Sequence, residues 1–452
     1  MDRYPGSRPG GCAMRASTLD LPRFGDGVGL ARTAAIAARL GLDLPAIGRR
    51  SVVIAGSNGK GSVARMLGGL FQAAGERTGL FTSPHLQAFN ERFELAGEMI
   101  ADNRLQALEA QIGAAVSDHL ADHPGDQACA FEAGFLTALL WFEQAGAERL
   151  VIEAGIGGRY DPTRLLQAPV VALVSLDREH MPLLGHTLRE VALDKLDVAP
   201  PGARVVIGRS FEGERPVLAV MAGLKPVRPL WVADQYGPSG SEDRLAGHHI
   251  TIRHRERGPL RVLTPMHGRF QADNLEVALE VLAEARPDLF ANNWPGSVAE
   301  ALAHCTNPAR MEVLPLGADD GDGEPGLIID AGHSPAGIAA AVSGVATLLD
   351  GRPARLLLAM SADKSVDAML DRLAPAFDDV VVSALPGGVP AALLEAAYRQ
   401  RNPRARLQLA PTAAQAIAAA QLPQDGRVLV GLGGLFWAAA LRDAWLMACT
   451  GA

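Results

Sequence analysis

One short segment restricts the folds open to this chain more than any other feature. The run Ser51-Val-Val-Ile-Ala-Gly-Ser-Asn-Gly-Lys-Gly-Ser62 joins an apolar stretch to a glycine-rich one, and apolar residues at helical spacing follow. This order predicts a strand, a tight turn and the start of a helix. Backbone N–H groups are exposed where such a helix begins, and the helix dipole favours an anion there. The pattern therefore predicts a phosphate site, against the plainer alternative of a glycine-rich turn with one surface lysine.

Lysine usage strengthens the phosphate interpretation. The chain contains only four lysines, and Lys60 is one of them, placed where it could neutralise β- and γ-phosphates. The spacing G-x-x-G-K-G-S is shorter than the usual P-loop pattern. The residues predicted to hold the phosphates are Gly56, Ser57, Asn58, Gly59, Lys60, Gly61 and Ser62.

The rest of the chain alternates between short apolar runs and amphipathic stretches, which is typical of α/β layers around a parallel sheet. In the first part of the chain, strands are predicted at 52–55, 77–81, 150–153 and 170–175, and helices at 61–74, 104–116, 132–144 and 188–198. The polar, alternating stretch 231–265 predicts a small antiparallel β insertion. A helix is predicted at 271–285 and a linker at 286–296.

A second, smaller α/β domain is predicted beyond the linker, with strands at 327–330, 355–360, 380–383 and 428–430. The predicted domains are therefore 1–304 and 305–452, with residues 1–16 flexible and the acidic run 317–325 a solvated loop. No internal repeat is evident.

Composition narrows the classes of protein that remain. The 42 basic and 50 acidic residues give a net charge of −8, which argues against binding of nucleic acid by charge alone. Four scattered cysteines form no metal-binding or disulfide pattern. The first residues lack the apolar segment of a signal peptide, and the apolar stretch 428–441 is shorter than the roughly 20 residues of a membrane span. A soluble cytoplasmic protein is expected.

Two further glycine clusters, at 155–158 and 431–434, suggest a dinucleotide site. Neither has the G-x-G-x-x-G spacing or the acidic residue about 20 positions later that would hold a ribose. Nicotinamide binding is therefore disfavoured.

Three polar residues follow or flank the predicted strands. Glu153 ends an apolar strand, His180 lies in a loop, and Lys195 lies on a helix for which Thr187 is a candidate N-cap. Ligands of open α/β sheets collect at the carboxyl ends of strands, where Glu153 and His180 fall. Taken singly, each residue also fits a plain structural role: a strand-end carboxylate, a loop histidine and a solvated lysine.

Several longer motifs resemble the folylpolyglutamate synthase/dihydrofolate synthase family of the Mur ligase superfamily. Besides the glycine-rich turn, the motifs are Thr82-Ser-Pro-His85, Phe89-Asn-Glu-Arg92, Phe131-Glu132, Glu153-Ala-Gly-Ile-Gly-Gly-Arg-Tyr-Asp161, Glu179-His180, Leu184-Gly185, Gln271 with Asn274, Ala309-Arg-Met-Glu312 and Asp330-Ala-Gly-His333. The combination of the glycine-rich turn with Thr82-Ser-Pro-His85 and Phe89-Asn-Glu-Arg92 is highly specific to this family. The similarity extends over nearly the whole chain.

The resemblance implies roles for individual residues. It implies Mg²⁺ ligation by Ser83, Glu153, His180 and Lys195, the last as a carbamate, and ATP binding by the turn together with Asn274, Arg310 and Asp330. It implies substrate binding by Arg32, Phe131, Glu132, Tyr160 and Asp161, and catalytic roles for Lys60, Lys195 and His333.

This sequence departs from the family pattern at four places. Glu179 replaces an aspartate, Ser334 an asparagine and Gly434 a serine, and Pro162-Thr-Arg164 stands where the family has Ala-Thr-Asn. None of these changes removes an implied metal or phosphate ligand. They bear on specificity more than on the ligase chemistry.

The sequence thus predicts a P-loop-type ATP-binding N-terminal domain with a small β insertion, followed by a smaller Rossmann-like α/β domain. The expected activity is ATP-dependent ligation of L-glutamate to dihydropteroate and to the γ-carboxylate of folates, with ATP and Mg²⁺ as cofactors. Retention of Asp161 favours the bifunctional enzyme. The alternatives are folylpolyglutamate synthesis only, a Mur-type peptidoglycan ligase, and a catalytically impaired folate- or nucleotide-binding protein. A monomer with small-molecule substrates, and neither nucleic-acid nor membrane partners, is expected.

Overall fold

The computed structural model describes residues 21–22, 29–178, 181–291, 294–316, 325–420 and 427–450. Contacts between residues divide the chain into two compact units. The first contains the described residues of Met1–Ser239, Ile252–Leu260 and Ala272–Leu302, and the second those of Gly240–Thr251, Arg261–Gln271 and Ala303–Ala452. The segment 1–16, predicted to be flexible, and residues 317–324 of the predicted acidic loop lie outside the described residues.

The first unit is built on a mostly parallel sheet. Its strands are β1 (Ser51–Ala55), β2 (Thr78–Phe81), β3 (Phe93–Leu95), β4 (Glu98–Met99), β5 (Arg149–Glu153), β6 (Val170–Leu173), β7 (Arg204–Ile207) and β8 (Arg228–Trp231). Within the described residues these eight strands form one sheet in the order β4-β3-β2-β5-β1-β6-β7-β8. The pairs from β2 to β8 are parallel, and β3 and β4 add an antiparallel edge.

Helices connect these strands. They are α1 (Leu30–Arg39), α2 (Leu44–Arg49), α3 (Lys60–Ala73), α4 (Asp102–Asp122), α5 (Ala130–Gln144), α6 (Met181–Leu184), α7 (Leu188–Leu196), α8 (Arg215–Leu224) and α9 (Val232–Gln235). Short 3₁₀ turns occupy Phe89–Arg92, Pro162–Leu166 and Arg209–Glu214. Helix α7 begins at the predicted N-cap: the Thr187 hydroxyl accepts a hydrogen bond from the Glu190 N–H at 3.2 Å.

The core explains why the central strands read as continuous apolar runs. All five residues of β1 are buried, because both faces of the sheet are covered. Val53, Ile152 and Val171 on three adjacent strands join Phe135 and Leu139 of α5 in one cluster of buried side chains. This packing stabilises the sheet edge that carries the polar residues described below.

Three antiparallel strands follow: β9 (Gly240–Arg244), β10 (Gly247–His254) and β11 (Gly258–Thr264). They match the small β insertion predicted for 231–265, although the predicted start is wrong. Trp231 is the last residue of β8, and α9 follows it, because Trp231 is buried and Ile207 pairs with it in the large sheet.

Helices α10 (Phe270–Ala285) and α11 (Trp294–Ala303) come next, with a 3₁₀ turn at Pro287–Ala291 between them. The linker predicted for 286–296 is therefore wrong. Contacts between residues assign this segment to the first unit, and the Arg286 guanidinium forms an ion pair of 2.6 Å with Glu76 of that unit.

The second unit contains another layered sheet. Its elements are β12 (Glu312–Pro315), β13 (Pro325–Ile329), α12 (Pro335–Leu349), β14 (Ala354–Leu358), α13 (Val366–Leu373), β15 (Asp379–Val382), α14 (Ala391–Arg401), β16 (Arg406–Leu409), α15 (Ala413–Ala419), β17 (Val428–Leu432) and α16 (Leu435–Thr450). The strand order is β12-β13-β17-β14-β15-β16, and only β12 is antiparallel among the described strands of this sheet.

The predicted fold class is confirmed: mixed α/β, with a parallel-rich sheet in each part of the chain. Most predicted strands and helices lie within two residues of the observed ones, while α4 extends six residues beyond the predicted end at 116. No helix in the described part of the chain is both long enough and apolar enough to cross a membrane.

Candidate active site

The glycine-rich turn lies between β1 and α3, as predicted. Gly59 precedes the helix with a φ of 79°, in the left-handed region that favours glycine. A Cβ atom on Gly59 would lie 2.4 Å from the Asn274 Oδ1 atom, so the turn and α10 approach too closely for any side chain. Asn274, predicted to hold ATP, is therefore placed against the turn.

Residues after β6 hold the turn in place. The Ser57 N–H donates to the Ser175 carbonyl at 2.9 Å, and the Asn58 N–H donates to the Ser175 hydroxyl at 2.7 Å. The Asp177 N–H donates to the Ser57 hydroxyl at 3.1 Å. Ser175 and Asp177 were not predicted as site residues, yet they lie two and four residues beyond the end of β6, and a polar residue at a strand end is the signal that identified Glu153.

Lys60 folds back over the turn. Its half-buried ammonium donates to the carbonyls of Gly56 at 3.1 Å and Ser57 at 3.2 Å. Ser62 is buried in the first turn of α3. The positive charge of Lys60 and the N-terminus of α3 therefore meet at one place, which is the arrangement that binds phosphate groups.

A carboxylate and a serine meet at the ends of the neighbouring strands. Glu153 is the buried last residue of β5, and its Oε2 atom accepts a hydrogen bond of 2.9 Å from the Ser83 N–H, just after β2. Carboxylate and hydroxyl oxygens are the donors that Mg²⁺ prefers, so these residues fit the predicted metal.

The predicted ligand His180 and its neighbour Glu179 lie outside the described residues. Within the described ranges, no group of three histidine, cysteine or acidic residues could hold a metal ion. The predicted set of four ligands is therefore represented here by Ser83, Glu153 and Lys195.

The Phe89–Arg92 turn braces the loop that bears Ser83. The Glu91 carboxylate accepts hydrogen bonds from the N–H groups of Leu86, Gln87 and Ala88 at 2.7–2.8 Å. The Arg92 Nε–H donates to the His85 Nδ1 atom at 2.9 Å. Burial, reinforced by the charge of Arg92, lowers the pKa of His85 from 6.5 to about 4. The motif was used only as a family marker, and its supporting role was not predicted.

The loop that follows Glu153 packs against α7, the helix that carries Lys195. A Cβ atom on Gly158 would lie 2.6 Å from the Lys195 carbonyl oxygen, so the loop runs directly against the backbone of α7. The Gly158 N–H donates to the Asp194 carboxylate at 2.9 Å. Burial raises the pKa of the Asp194 carboxyl, and the Lys195 side chain is buried as well.

Asp161 holds the other side of this loop. Its carboxylate accepts hydrogen bonds from the Gly155 N–H at 2.8 Å, from the Thr163 N–H at 3.0 Å and from the Thr163 hydroxyl at 2.6 Å. Burial raises the pKa of this carboxyl. Asp161 is thus engaged by its own loop, whereas Tyr160 beside it is 57% exposed and lines a cavity of about 360 Å³ with Arg159, Leu183, Leu184 and Asp194.

Two predicted substrate residues bind each other. The Arg32 guanidinium donates to both oxygens of the Glu132 carboxylate at 2.7–3.1 Å, and both side chains are 5% exposed. Hydrogen bonding to Glu132 raises the pKa of Arg32. Phe131 contacts Gly155, where a Cβ atom would lie 2.8 Å from its ring, and its ring centroid lies 5.8 Å from that of Phe81.

In the second unit, Arg310 lies between two residues in the left-handed backbone region, Ala309 (φ 53°) and Met311 (φ 51°). The Glu312 carboxylate accepts from the Ala309 N–H at 2.8 Å, and the Asp330 carboxylate accepts from the Met311 N–H at 3.0 Å. Such conformations persist only where surrounding contacts enforce them, and they cluster at functional sites.

Burial raises the pKa of Asp330, and the nearby charge of Arg310 opposes that shift. His333 is exposed, and its Nδ1 atom lies 3.2 Å from the Ala331 carbonyl oxygen. Ser334 is the N-cap of α12: its hydroxyl accepts from the Gly337 N–H at 3.1 Å. Because asparagine and serine are both favoured N-caps, this departure from the family pattern preserves the helix start.

The structure thus brings the predicted residues together in two groups, one in each unit. In the first unit, the parallel strands β2, β5, β1 and β6 are neighbours, and all of them deliver polar groups at their carboxyl ends. This edge is where ligands of open α/β sheets bind. In the second unit, Arg310, Asp330 and His333 lie around the end of β13.

Comparisons with known proteins identify the family that this chain resembles. The family described as "Mur ligase, glutamate ligase domain" matches residues 309–434. The chain is 31% identical over 360 residues to the dihydrofolate synthase/folylpolyglutamate synthase of Mycobacterium tuberculosis, covering 76% of this chain and 71% of the relative. It is 29% identical over 402 residues to the folylpolyglutamate synthase of Lacticaseibacillus casei, covering 88% and 90%.

Solved structures show the same similarity. The Mycobacterium tuberculosis folylpolyglutamate synthase complexed with ADP and AMPPCP aligns with a TM-score of 0.79 at 29% identity, over 92% of this chain and 94% of that one. The fold, the matched domain and the similarity to these relatives define a ligase of the Mur superfamily. Within that superfamily, the chain belongs to the folylpolyglutamate synthase/dihydrofolate synthase family.

Proposed function

We propose that this chain is an ATP-dependent amide ligase that joins L-glutamate to dihydropteroate and to the γ-carboxylate of folates. The observation that carries the proposal is that the glycine-rich turn, Ser83 and Glu153 converge at the carboxyl ends of adjacent parallel strands. We call this turn, residues 56–62, the phosphate turn. Family membership supports the same activity. The fold supplies a phosphate site and oxygen donors next to each other, as phosphoryl transfer requires.

In this proposal, ATP phosphorylates the substrate carboxylate, and the amine of glutamate then attacks the acyl phosphate and releases inorganic phosphate. The N–H groups of the turn and the Lys60 ammonium hold the phosphates of ATP and stabilise charge on the transferring group. Ser62 lies at the start of α3 beside them. Asn274, Arg310 and Asp330 are proposed to bind the rest of the nucleotide, and His333 to face the reacting groups.

Ser83 and Glu153 would hold Mg²⁺, with His180 and Lys195 as the further proposed ligands. The ion would neutralise phosphate charge during transfer. We propose that Lys195 acts as a carbamate, because an ammonium repels a metal ion whereas a carbamate oxygen binds one. The Gly158 loop and Asp194 would keep the backbone of Lys195 in position.

For the pterin substrate we propose the region that contains Phe131, Tyr160 and the cavity beside Tyr160. The charged groups of this region form hydrogen bonds to protein partners. Arg32, Glu132 and Asp161 would therefore contribute to substrate binding indirectly, by holding this region in position. The Arg32–Glu132 pair fixes the start of α5, and Asp161 fixes the Gly155 loop against which Phe131 packs.

Activity on both substrates is the preferred form of the proposal, and the similarity to a relative named for both activities supports it. Folylpolyglutamate synthesis alone is the second candidate. It is favoured by the engagement of Asp161 within its loop and by the similarity to a relative named only for that activity. A protein that binds nucleotide or folate without turnover is the remaining alternative.

One assay separates these outcomes. The purified protein is incubated with ATP, Mg²⁺, glutamate and either dihydropteroate or tetrahydrofolate, and the products are weighed by mass spectrometry while phosphate release is measured. A glutamate added to both acceptors supports the bifunctional enzyme, and addition to tetrahydrofolate alone supports the second candidate. Absence of glutamate-dependent phosphate release with either acceptor would exclude ligase activity.

The proposal includes a cytoplasmic monomer with small-molecule substrates and neither nucleic-acid nor membrane partners. It also includes functional domains at 1–304 and 305–452. Size-exclusion chromatography with light scattering tests the monomer, and separate expression of the two segments tests the boundary.

A further inference from the structure

A second cavity, of about 180 Å³, opens at the opposite end of the first unit's large sheet. It lies where the parallel strands begin: Ser51 starts β1, Val170 starts β6, Arg204 starts β7 and Arg228 starts β8. The phosphate turn follows the other end of β1, a strand length of roughly 15 Å away. We call this cavity the amino-edge pocket.

Arginines dominate the amino-edge pocket. Arg49, Arg149, Arg204 and Arg228 line it together with a single carboxylate, Glu284. Four guanidinium groups and one carboxylate leave a formal excess of three positive charges. This concentration of positive charge stands out in a protein whose net charge is −8.

Protein partners neutralise two of the four arginines. Arg149 donates to both oxygens of Glu76 at 2.9 and 3.1 Å, and Arg204 forms an ion pair of 2.8 Å with Glu284. Glu76 also pairs with Arg286 at 2.6 Å, and Arg286 has a second carboxylate partner in Asp288.

The other two arginines have no ionic partner among the described residues. Arg228 donates to the Gly202 carbonyl at 3.3 Å, and both Arg49 and Arg228 are exposed at the rim of the pocket. The hydroxyl of Ser51 donates to the Ile47 carbonyl at 2.8 Å, so the guanidinium groups are the remaining side-chain donors among the residues that line the pocket.

Guanidinium groups offer a rigid fork of N–H donors that matches oxyanions with two or more acceptor oxygens. Like charges held around one cavity repel each other, and a multivalent anion would remove that repulsion. We propose that the amino-edge pocket binds a small oxyanion carrying at least two negative charges, held by Arg49 and Arg228 over Arg149 and Arg204. This site is separate from the proposed active site and does not depend on the proposed activity.

A phosphate compound and a polycarboxylate share this chemistry, so both are used as probes. Binding of pyrophosphate and of citrate to the full chain is measured by isothermal titration calorimetry at low salt. All proteins carry Lys60→Ala, which weakens the competing phosphate turn equally in every comparison. The tighter of the two probes identifies the source of the anion.

The test variant is Arg49→Gln/Arg228→Gln, and its matched control is Arg372→Gln/Arg404→Gln. The control arginines are also exposed, lie in the second unit and have no ionic partner within the described ranges, so both doubles change the net charge equally. We expect the test variant to bind the tighter probe at least about tenfold more weakly. The control should change binding less than about twofold.

Glu284→Gln provides a change in the opposite direction. Removal of the carboxylate of the pocket should strengthen binding of the same probe, which a merely destabilised protein would not do. Unchanged melting temperatures verify folding of all variants. Equal losses in the test and control doubles, weaker binding by Glu284→Gln, or absence of binding by both probes would overturn the proposal.

Discussion

The buried Arg32–Glu132 pair offers a sharp test of how this fold is stabilised. The two side chains are 100 residues apart in sequence, are 5% exposed and share three hydrogen bonds. Glu132 also accepts from the Cys129 N–H at 3.2 Å at the start of α5. Removal of one partner leaves the other charge buried, which costs about 3–5 kcal/mol.

The two single variants should differ. Glu132→Leu leaves a guanidinium that cannot lose its proton, so we expect a loss of about 4 kcal/mol in the free energy of unfolding. Arg32→Met leaves a carboxyl that escapes part of the cost by taking up a proton, so we expect about 2–3 kcal/mol. The double variant should lose only about 1–2 kcal/mol, since an apolar pair of similar volume replaces the ions.

Urea denaturation followed by tryptophan fluorescence measures these values, with Trp141 on the same helix as Glu132. The expected coupling energy is therefore about 4–6 kcal/mol. Additive single effects, with coupling below about 0.5 kcal/mol, would refute the reasoning. The same double variant tests the proposed role of the pair: a retained KM for the folate acceptor indicates positioning, whereas a large rise in KM indicates direct contact.

Three further outcomes are expected. Lys60→Ala should lower turnover by roughly a hundredfold or more with little change in melting temperature, because the ammonium lies on a surface turn; near-normal turnover at saturating ATP would contradict the phosphate assignment. Lys195→Ala should lose most activity and regain part of it with short carboxylic acids, while Lys195→Arg should remain inactive. A ¹³C NMR spectrum of the wild-type protein in ¹³C-labelled bicarbonate, with Mg²⁺ and nucleotide and without a carbamate signal, would count against the modification. His85 takes up a proton near pH 6.5 when unfolded but near pH 4 when folded, so the free energy of unfolding should fall by about 3 kcal/mol as the pH drops through that range. His85→Gln should lack this contribution, and identical pH profiles of the two proteins in urea denaturation would disprove it.

Much of the site was predictable because it is local in sequence. The turn before α3 follows from glycine at position 59 and the adjacent strand, and Glu153 follows from its place at the end of an apolar run. Ser175 was equally predictable by that rule. Their convergence could be expected because parallel strands place their carboxyl ends at the same edge of the sheet.

Other assignments could not be made from sequence because they depend on which side chains meet. Asp161 is predicted to bind substrate, and only the structure shows that its carboxylate also accepts hydrogen bonds from Gly155 and Thr163. The segment after α10 was predicted as a linker from its proline, glycine and asparagine content, but Arg286 ties it to Glu76, 210 residues away. Composition cannot reveal an ion pair between such distant positions.

The sequence by itself determined the α/β architecture, the glycine-rich turn before α3 and the family, since each rests on residues close together in the chain. Tertiary structure alone decided that Arg32 faces Glu132, that Glu91 braces the Ser83 loop, and that arginines gather at the amino edge of the sheet. The physical reason is the sequence separation of the interacting residues. Backbone conformation follows from neighbouring residues, whereas the partner of a charged side chain is chosen by the packing of the whole unit.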